Sequence, residues 1–384
     1  MDYKVRNKIP IAAEGEENDY EKTSKIYYQR KAPAMTLPYS DTLQIQYLNR
    51  LFDNTSNCYK FFWFQAIIAK VLDKTLPRWP NHSEPPRVHL DKSHLPKERT
   101  TSKRENGGNM RIKTVHAIYF SPCGSTARAV SQMARQAASM LTAQWSSLDF
   151  TLPAARGQRY TFGPCDLIFF GTPIYAGRVP NKLLPFVRDG FLGNGALAVP
   201  VVTYGNRSFD DGLVELRNLL EGNGFHTIGA AAVVAKHSFS KTLGAGRPNE
   251  ADEKRGAAFA GQVAQKAEQL EAGGSREPVQ VPGTDPPEAY YTPLGIDGKP
   301  AKFLKAVPKI SEKCSKCGFC AEVCPMGSID PKEPGRITGI CIKCHACIRK
   351  CPRQARFFDD EAFLSHRNML EQTYTAAREA AYFL

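Results

Sequence analysis

Apolar and polar residues alternate along the central part of the chain in two different patterns. Short apolar runs have the length and composition of buried strands, and the longer stretches between them repeat their apolar residues at helical spacing. The predicted strands are residues 114–120, 146–149, 167–170, 197–203 and 227–234, and the predicted helices are residues 125–141, 182–189, 211–222 and 250–271. Five strands that alternate with helices predict a doubly wound, five-stranded parallel sheet of the α/β class.

The rest of the chain departs from this pattern. Residues 1–109 are polar and irregular, with one amphipathic helix predicted at 56–72 and a linker rich in Pro, His, Lys, Ser and Gly at 81–109. The expected organisation is an N-terminal extension at 1–109, the α/β domain at 110–272, a Pro- and Gly-rich linker at 273–308, a cysteine-rich domain at 309–360 and a C-terminal helix at 361–384.

Length and composition limit the possible classes of protein. The chain has 384 residues, of which 42% are hydrophobic and 23% are charged, so it has room for two or three ordinary domains. The longest apolar run, residues 61–69, is too short to span a bilayer and lies between Lys60 and Lys70. No apolar signal segment follows the first charged residues. We therefore expect a cytoplasmic protein with no membrane association.

Eight of the eleven cysteines fall in two runs of identical spacing, Cys-x2-Cys-x2-Cys-x3-Cys-Pro. Three close cysteines on a tight loop can hold three irons of a cubane cluster, and a fourth thiolate completes it. Zinc is the alternative, because Cys-x2-Cys pairs also build zinc ribbons. Two identical four-cysteine runs that each end in Cys-Pro favour iron–sulfur chemistry. The first run is Cys314, Cys317, Cys320 and Cys324, and the second is Cys341, Cys344, Cys347 and Cys351.

The two runs resemble those of the bacterial ferredoxins that carry two 4Fe–4S clusters, and the resemblance covers the whole 309–360 segment. In that family the fourth cysteine of each run ligates the other cluster. The resemblance therefore implies a small α+β ferredoxin domain with two clusters. One cluster would be held by Cys314, Cys317, Cys320 and Cys351, and the other by Cys341, Cys344, Cys347 and Cys324.

The net charge of +13 raises the question of nucleic-acid binding. That count treats every cysteine as neutral. Eight thiolates, two oxidised cluster cores and one bound phosphate would reduce it to roughly +7, spread over the whole chain. We therefore expect a solvated basic surface and not a nucleic-acid site, and an acidic redox partner remains open.

Candidate cofactor chemistry lies at the carboxyl ends of the predicted strands, where doubly wound sheets bind ligands. The first strand runs into Ser121-Pro122-Cys123-Gly124-Ser125-Thr126 and then a helix. A polar, glycine-containing loop at a helix N-terminus presents backbone N–H groups to a phosphate. Ser and Thr also cap helices, so this pattern has a purely structural alternative. Cys123 is expected to be a small packed residue.

The loops after the third and fourth strands each contribute an aromatic residue. These two residues would line opposite sides of a ligand pocket beside the phosphate loop. Tyr175 lies on a loop of small residues after the third strand, and the fourth strand ends in Tyr204-Gly205-Asn206-Arg207. A flat flavin ring needs an aromatic side chain to stack on and backbone groups at its polar edge, and these loops offer both.

Together these residues resemble the flavodoxin family over about residues 112–270, which implies FMN as a cofactor. The sequence departs from the usual phosphate loop, because Cys123 replaces a Thr and Ser125 replaces an Asn. The implied FMN-binding residues are Ser121, Gly124, Ser125, Thr126, Thr172, Pro173, Ile174, Tyr175, Gly177, Tyr204, Gly205, Asn206 and Arg207.

The whole arrangement resembles the flavodoxin–ferredoxin fusion proteins of anaerobic bacteria. Residues 39–67 modestly resemble the opening of HNH-type endonuclease proteins, but no His-Asn-His metal site is evident. We therefore interpret residues 1–109 as a fused remnant or a misplaced start, without a catalytic role.

The resemblance implies an electron carrier that passes single electrons between FMN and the clusters, toward a redox partner protein or a small acceptor. It does not identify a substrate or catalytic residues. Two alternatives remain: an FMN-dependent reductase of a small acceptor, and a nucleic-acid-associated protein that uses the N-terminal extension. The sequence predicts neither the oligomeric state nor the redox potentials.

Overall fold

A computed structural model of the chain describes residues 111–270 and 277–384, which all belong to one unit spanning 101–384. The predicted helix at 56–72, the linker at 81–109 and the segment that resembles endonucleases lie outside the described residues.

A parallel sheet forms the centre of the described chain. Its strands are β1 (Thr114–Tyr119), β2 (Gln144–Asp149), β4 (Asp166–Pro173), β6 (Leu197–Tyr204) and β8 (Ala230–Val234). They lie in the order β2-β1-β4-β6-β8, which is the strand order of flavodoxin-like doubly wound sheets. Every residue of β6 is buried, because helices cover both faces of a parallel sheet. The predicted flavodoxin-like α/β fold is confirmed.

Two helices pack on each face of the sheet. These are α1 (Ser125–Met140), α2 (Leu184–Asp189), α3 (Gly212–Gly222) and α4 (Glu250–Gln269). The apolar sides of α1 and α4 share one core cluster, and those of α2 and α3 share the other. Asn249 begins α4 with a capping box closed by Asp252.

Shorter elements complete the α/β part. Strand β3 (Tyr160–Thr161) pairs with β5 (Phe191–Leu192), and β7 (His226–Thr227) pairs with β6. A single 3-10 turn, Pro153–Arg156, follows β2.

The stretch predicted as a linker, 273–308, is packed against the α/β part where the structure describes it. Val279 is buried in the core shared by α2 and α3. The carboxylate of Asp211 accepts hydrogen bonds from the backbone and hydroxyl of Thr284 and from the backbone of Glu288. The linker was predicted from its Pro and Gly content. That content does not reveal hydrogen bonds such as those that Asp211 makes to this segment.

The cysteine segment contains two short helices and one two-stranded ribbon. Its elements are β9 (Lys309–Ile310), α5 (Phe319–Glu322), α6 (Ala346–Arg349) and β10 (Arg356–Phe357). The antiparallel pairing of β9 with β10 brings the two ends of the segment together, so that the two cysteine runs lie side by side.

The C-terminal tail differs from the predicted helix at 361–384. Helix α7 (Glu361–Thr373) ends early, and β11 (Ala381–Phe383) pairs antiparallel with β8 at the edge of the central sheet. The sheet is therefore mostly parallel but mixed. An edge strand needs a partner or a cover for its free N–H and C=O groups, and the returning tail supplies it for β8.

Candidate functional site

The eight clustered cysteines line two separate cavities, and each cavity takes three cysteines from one run and one from the other. The first cavity is lined by Cys314, Cys317, Cys320 and Cys351. The second is lined by Cys324, Cys341, Cys344 and Cys347. Each grouping is one of the two ligand sets that the ferredoxin resemblance implies. No three His, Cys, Asp or Glu side chains in the described residues are grouped as ligands of a single metal ion would be.

Left-handed residues shape both cysteine loops in the same way. Lys316 and Gly318 in the first run, and Lys343 and His345 in the second, have φ between 54° and 78°. They occupy the second and fourth positions after the first cysteine of each run. Such conformations turn successive backbone N–H groups toward one side, which suits an anionic group. His345 carries a side chain where the first run has glycine, so surrounding contacts must hold it in place.

The two cavities differ in exposure. Cys317 of the first cavity is exposed, whereas Cys344 and Cys347 of the second are buried. Burial raises the pKa of Cys341, raises that of Cys344 well above its usual value and raises that of Cys347 to about 12. Without a bound cation these groups are neutral thiols, so loading the second cavity must release protons.

The second cavity lies directly against the predicted phosphate loop. The thiol of Cys123 donates a hydrogen bond to the carbonyl oxygen of Cys344 at 3.0 Å. The guanidinium of Arg156 donates to the carbonyl of Pro325, next to Cys324. The side chain of Tyr175 lies within electrostatic reach of Cys344 and Cys123, and burial raises its pKa well above the usual value. A cysteine cavity, a phosphate loop and an aromatic side chain therefore meet at one place.

Burial also raises the pKa of Cys123, and nearby Arg349 and Lys350 oppose that effect. A thiol whose pKa is raised is not an activated nucleophile. This result fits the expectation that Cys123 is a packed residue, and it shows that two basic side chains of the cysteine segment lie near the phosphate loop.

The phosphate end of the predicted FMN site has the geometry that an anion needs. Gly124, the N-cap residue of α1, has a φ of 93°, open space lies where its Cβ would be, and no acidic residue occupies the first turn of the helix. The Ser121 hydroxyl accepts a hydrogen bond from the backbone of Ala127 at 2.9 Å, so one N–H group of this turn has a side-chain partner. The hydroxyl of Thr172, which is fully buried at the same edge of the sheet, has no partner within the described residues. A helix N-terminus that begins with glycine and an unsatisfied donor both fit a phosphate-bearing ligand.

Other predicted phosphate-loop and ring-loop residues are used in packing. Thr126 bonds to the hydroxyl of Thr203 at 2.7 Å beneath the loop. A Cβ on Gly177 would overlap the side chain of Asp210, which belongs to the loop after β6. The backbone of Tyr291 donates to the Ala176 carbonyl at 2.9 Å. Ser125, Pro173 and Ile174 complete these loops and are partly buried.

The predicted ring wall, residues 204–207, binds the protein's own C-terminal tail. Asn206 donates to the carbonyls of Tyr374 and Ala376 at 2.8 and 2.9 Å and accepts from the backbone of Arg378 at 2.9 Å. The Tyr204 hydroxyl donates to the carbonyl of Glu379 at 3.2 Å. The polar groups of Tyr204 and Asn206 therefore bind the C-terminal tail, whereas the sequence predicted that they would bind a flavin.

Gly205 and Arg207, the two remaining residues of that wall, also contact other side chains of the protein. Gly205 lies against His237, whose ring would clash with any Cβ at this position. The guanidinium of Arg207 pairs with Asp210 and lies 4.1 Å above the ring of Tyr291. The contacts with His237 and Tyr291 were missed because they join residues that are far apart in the sequence.

An aromatic and imidazole cluster joins the cysteine segment to the α/β part. The ring of Phe239 lies 5.0 Å from that of His345 and 4.9 Å from that of Phe363. Burial lowers the pKa of both His237 and His345 to about 3, so both are neutral at ordinary pH. His345 stands between two cysteines of the second run, and this cluster therefore fixes that run against the α/β part.

The comparisons with known proteins agree with the cysteine pattern. The model of the 4Fe-4S binding domain family (Fer4) matches residues 307–330. These residues contain the whole first run, so this part of the chain has the sequence of a 4Fe–4S binding domain. No curated protein matches the chain significantly. The resemblance to HNH-type endonucleases finds no support in these comparisons.

Several solved structures are similar to the α/β part. A flavodoxin from the domain Archaea is 12% identical, with 41% of this chain and 100% of that chain covered and a TM-score of 0.31. A flavodoxin from Streptococcus pneumoniae is 18% identical, with 40% and 99% covered and a TM-score of 0.29. An apo NADH:FMN oxidoreductase is 16% identical, with 41% and 91% covered and a TM-score of 0.30. The flavodoxin-like fold of the α/β part follows from the strand order of this chain itself.

Within the described residues, no helix is long and apolar enough to cross a membrane.

Proposed function

We propose that this protein is an electron-transfer iron–sulfur flavoprotein that relays single electrons between FMN and two 4Fe–4S clusters. The contact that supports this most directly is the hydrogen bond from Cys123 to the carbonyl of Cys344, because it joins the phosphate loop to a cysteine cavity. Each cluster supplies one-electron chemistry when bound, and FMN can take up two electrons. Electron transfer needs close approach of the two centres, which this contact would provide.

The proposed cluster ligands are the two sets of four cysteines that line the two cavities. The match of residues 307–330 to the 4Fe-4S binding domain supports iron–sulfur chemistry for the first run. The second run repeats its spacing and its left-handed positions. Because the second cavity lies against the α/β part, it would hold the cluster that exchanges electrons with FMN. The more exposed first cavity would exchange electrons with a redox partner.

The proposed FMN site uses the phosphate loop and Tyr175. The N-terminus of α1 and Gly124 would hold the phosphate, with Ser121 and Ser125 beside it. Arg349 and Lys350 lie near this loop and would favour an anion there. The chain's own residues would thus bind and orient the cofactor between the sheet and the second cavity.

A carrier is favoured over a substrate-specific reductase. The reductase alternative requires an acceptor site beside Tyr175, Tyr204 and Arg207. The Tyr204 hydroxyl bonds to the tail, and Arg207 is engaged by Asp210 and Tyr291. The nucleic-acid alternative depends on residues 1–109, which lie outside the described residues.

The test is the cofactor content of protein purified without oxygen, followed by transfer kinetics. We expect about eight iron, about eight acid-labile sulfide and one FMN per chain. After photoreduction of the flavin, electrons should reach the clusters at a rate independent of protein concentration. Cluster loading without FMN would overturn the relay, and a rate proportional to protein concentration would show that transfer occurs between molecules. Zinc in place of iron would overturn the cluster assignment.

A further inference from the structure

Arg356, the first residue of β10, is a buried cation in the middle of the cysteine segment. Only 3% of its surface is exposed. Its Nη1 donates to the sulfur of Cys320 at 3.2 Å and to the carbonyl of Pro334 at 2.6 Å, and Nη2 donates to the carbonyl of Pro308 at 3.2 Å. Its Nε has no hydrogen-bond partner within the described residues.

No carboxylate of the described residues neutralises this guanidinium. None of their Asp or Glu side chains forms an ion pair with Arg356, whereas the part-buried Arg178 pairs with Glu215 at 2.6 Å. Arginine stays protonated in proteins, and an ionised group out of water needs a charge partner. The hydrogen-bond partners of Arg356 are two backbone carbonyls and the sulfur of Cys320. The missing countercharge must come from a group that binds beside it.

The guanidinium lies at the wall of the first cavity. It donates a hydrogen bond to the sulfur of Cys320, and Arg356 is one of the residues that line this cavity. One buried positive charge therefore lies beside the cluster site formed by Cys314, Cys317, Cys320 and Cys351.

We propose that Arg356 is the built-in counter-ion of the cluster in the first cavity and raises its reduction potential. This inference rests on the proposed function. A 4Fe–4S core with four thiolate ligands is anionic, and the electron that reduces it adds one further negative charge without making or breaking a bond. A fixed positive charge in a poorly solvated site stabilises the reduced form more than the oxidised form. The effect should be larger for the cluster bound through Cys320, because that sulfur accepts a hydrogen bond from Arg356.

Three substitutions separate charge from hydrogen bonding. Arg356→Met removes both, Arg356→Gln keeps a donor without charge, and Arg356→Lys keeps the charge. Arg336→Met is the matched control, because it removes the same charge from an exposed position of the cysteine segment that lines neither cavity. Each protein is titrated with dithionite without oxygen, and cluster reduction is followed by electron paramagnetic resonance.

We expect the Met and Gln variants to shift the equilibrium between the reduced and oxidised forms of this cluster at least tenfold toward the oxidised form. For a one-electron couple, a tenfold shift lowers the potential by 59 mV. The Lys variant should recover most of this shift, and the Arg336→Met control should change the equilibrium by less than tenfold. Unchanged potentials in the Met and Gln variants, or an equal shift in the Arg336→Met control, would overturn the counter-ion role.

Loading provides a second readout if a variant fails to assemble. Loss of iron in the Met and Gln variants with full loading of the Lys variant supports the role of charge. Equal failure of all three, while the Arg336→Met control loads fully, overturns it, because the determinant would then be shape. An unsubstituted protein without iron–sulfur clusters would refute the proposed function itself, so the two failures are distinguishable.

Discussion

Asn206 offers the most direct test of whether the loop after β6 holds the tail or a flavin. Replacement by Ala removes three hydrogen bonds, two donated to the carbonyls of Tyr374 and Ala376 and one accepted from the backbone of Arg378. Each such bond contributes about 0.5–1.5 kcal/mol, so the change should lower the free energy that holds the tail by roughly 3 kcal/mol. Asn206 also has a φ of 67°, a conformation that Ala adopts less readily.

The matched control is Asn194→Ala. Asn194 also has a left-handed φ, of 45°, but its side chain is exposed and donates one hydrogen bond, to the carbonyl of Phe162 at 3.0 Å. We expect this change to cost about 1 kcal/mol. Urea unfolding with linear extrapolation gives the free energies, and the rate of proteolysis within residues 374–384 reports release of the tail.

The dissociation constant of FMN decides between the two roles. If Asn206 serves the tail, its replacement by Ala releases the tail and changes the FMN dissociation constant by less than threefold, an energy of about 0.65 kcal/mol. A rise of more than tenfold in that constant, with unchanged unfolding and proteolysis, would show that Asn206 is a flavin ligand. Our assignment of the 204–207 loop would then be refuted.

Three further predictions test the cysteine sets, the acid response and the packing beneath the phosphate loop. The double variant Cys324→Ala/Cys347→Ala should retain about four irons, because both residues line one cavity. The double variant Cys324→Ala/Cys320→Ala should lose both clusters, because the two residues line different cavities. The reverse result would show that each run holds its own cluster. Burial lowers the pKa of His237 to about 3, so the unfolded state binds the extra proton and stability falls as the pH drops below about 6.5. The loss from about pH 7 to about pH 5 is roughly 2 kcal/mol for this group, and His237→Gln should reduce the measured acid sensitivity by that amount in urea unfolding. A Cβ on Gly171 would overlap a valine methyl of α1, so Gly171→Ala should cost about 1–3 kcal/mol on the same assay, and an unchanged value would contradict the packing of α1 on β4.

The central strands could be predicted because their signal is local. The run 197–203 is apolar up to its last residue, Thr203, as expected for a strand covered on both faces, and it lies within β6. The grouping of the cysteines around the two cavities could be predicted because, in a known family with the same spacing, the fourth cysteine of each run ligates the other cluster. The tail could not, because β11 has only three residues and forms solely by pairing with Ala230–Val234, about 150 residues earlier. A strand stabilised by such a distant partner has no periodic pattern of its own.

The two cysteine runs have identical spacing, but the residue at one position between their ligands differs, and so do the two cavities. Gly318 and His345 occupy equivalent left-handed positions, so the ligand spacing alone cannot say which run faces the α/β part. In the first run, glycine presents no side chain, and the neighbouring Cys317 is exposed. In the second run, the ring of His345 packs within 5.0 Å of that of Phe239 and 5.5 Å of that of Phe363. The residue between the ligands therefore fixes which cavity lies inward, and the direction proposed for the relay follows from this difference.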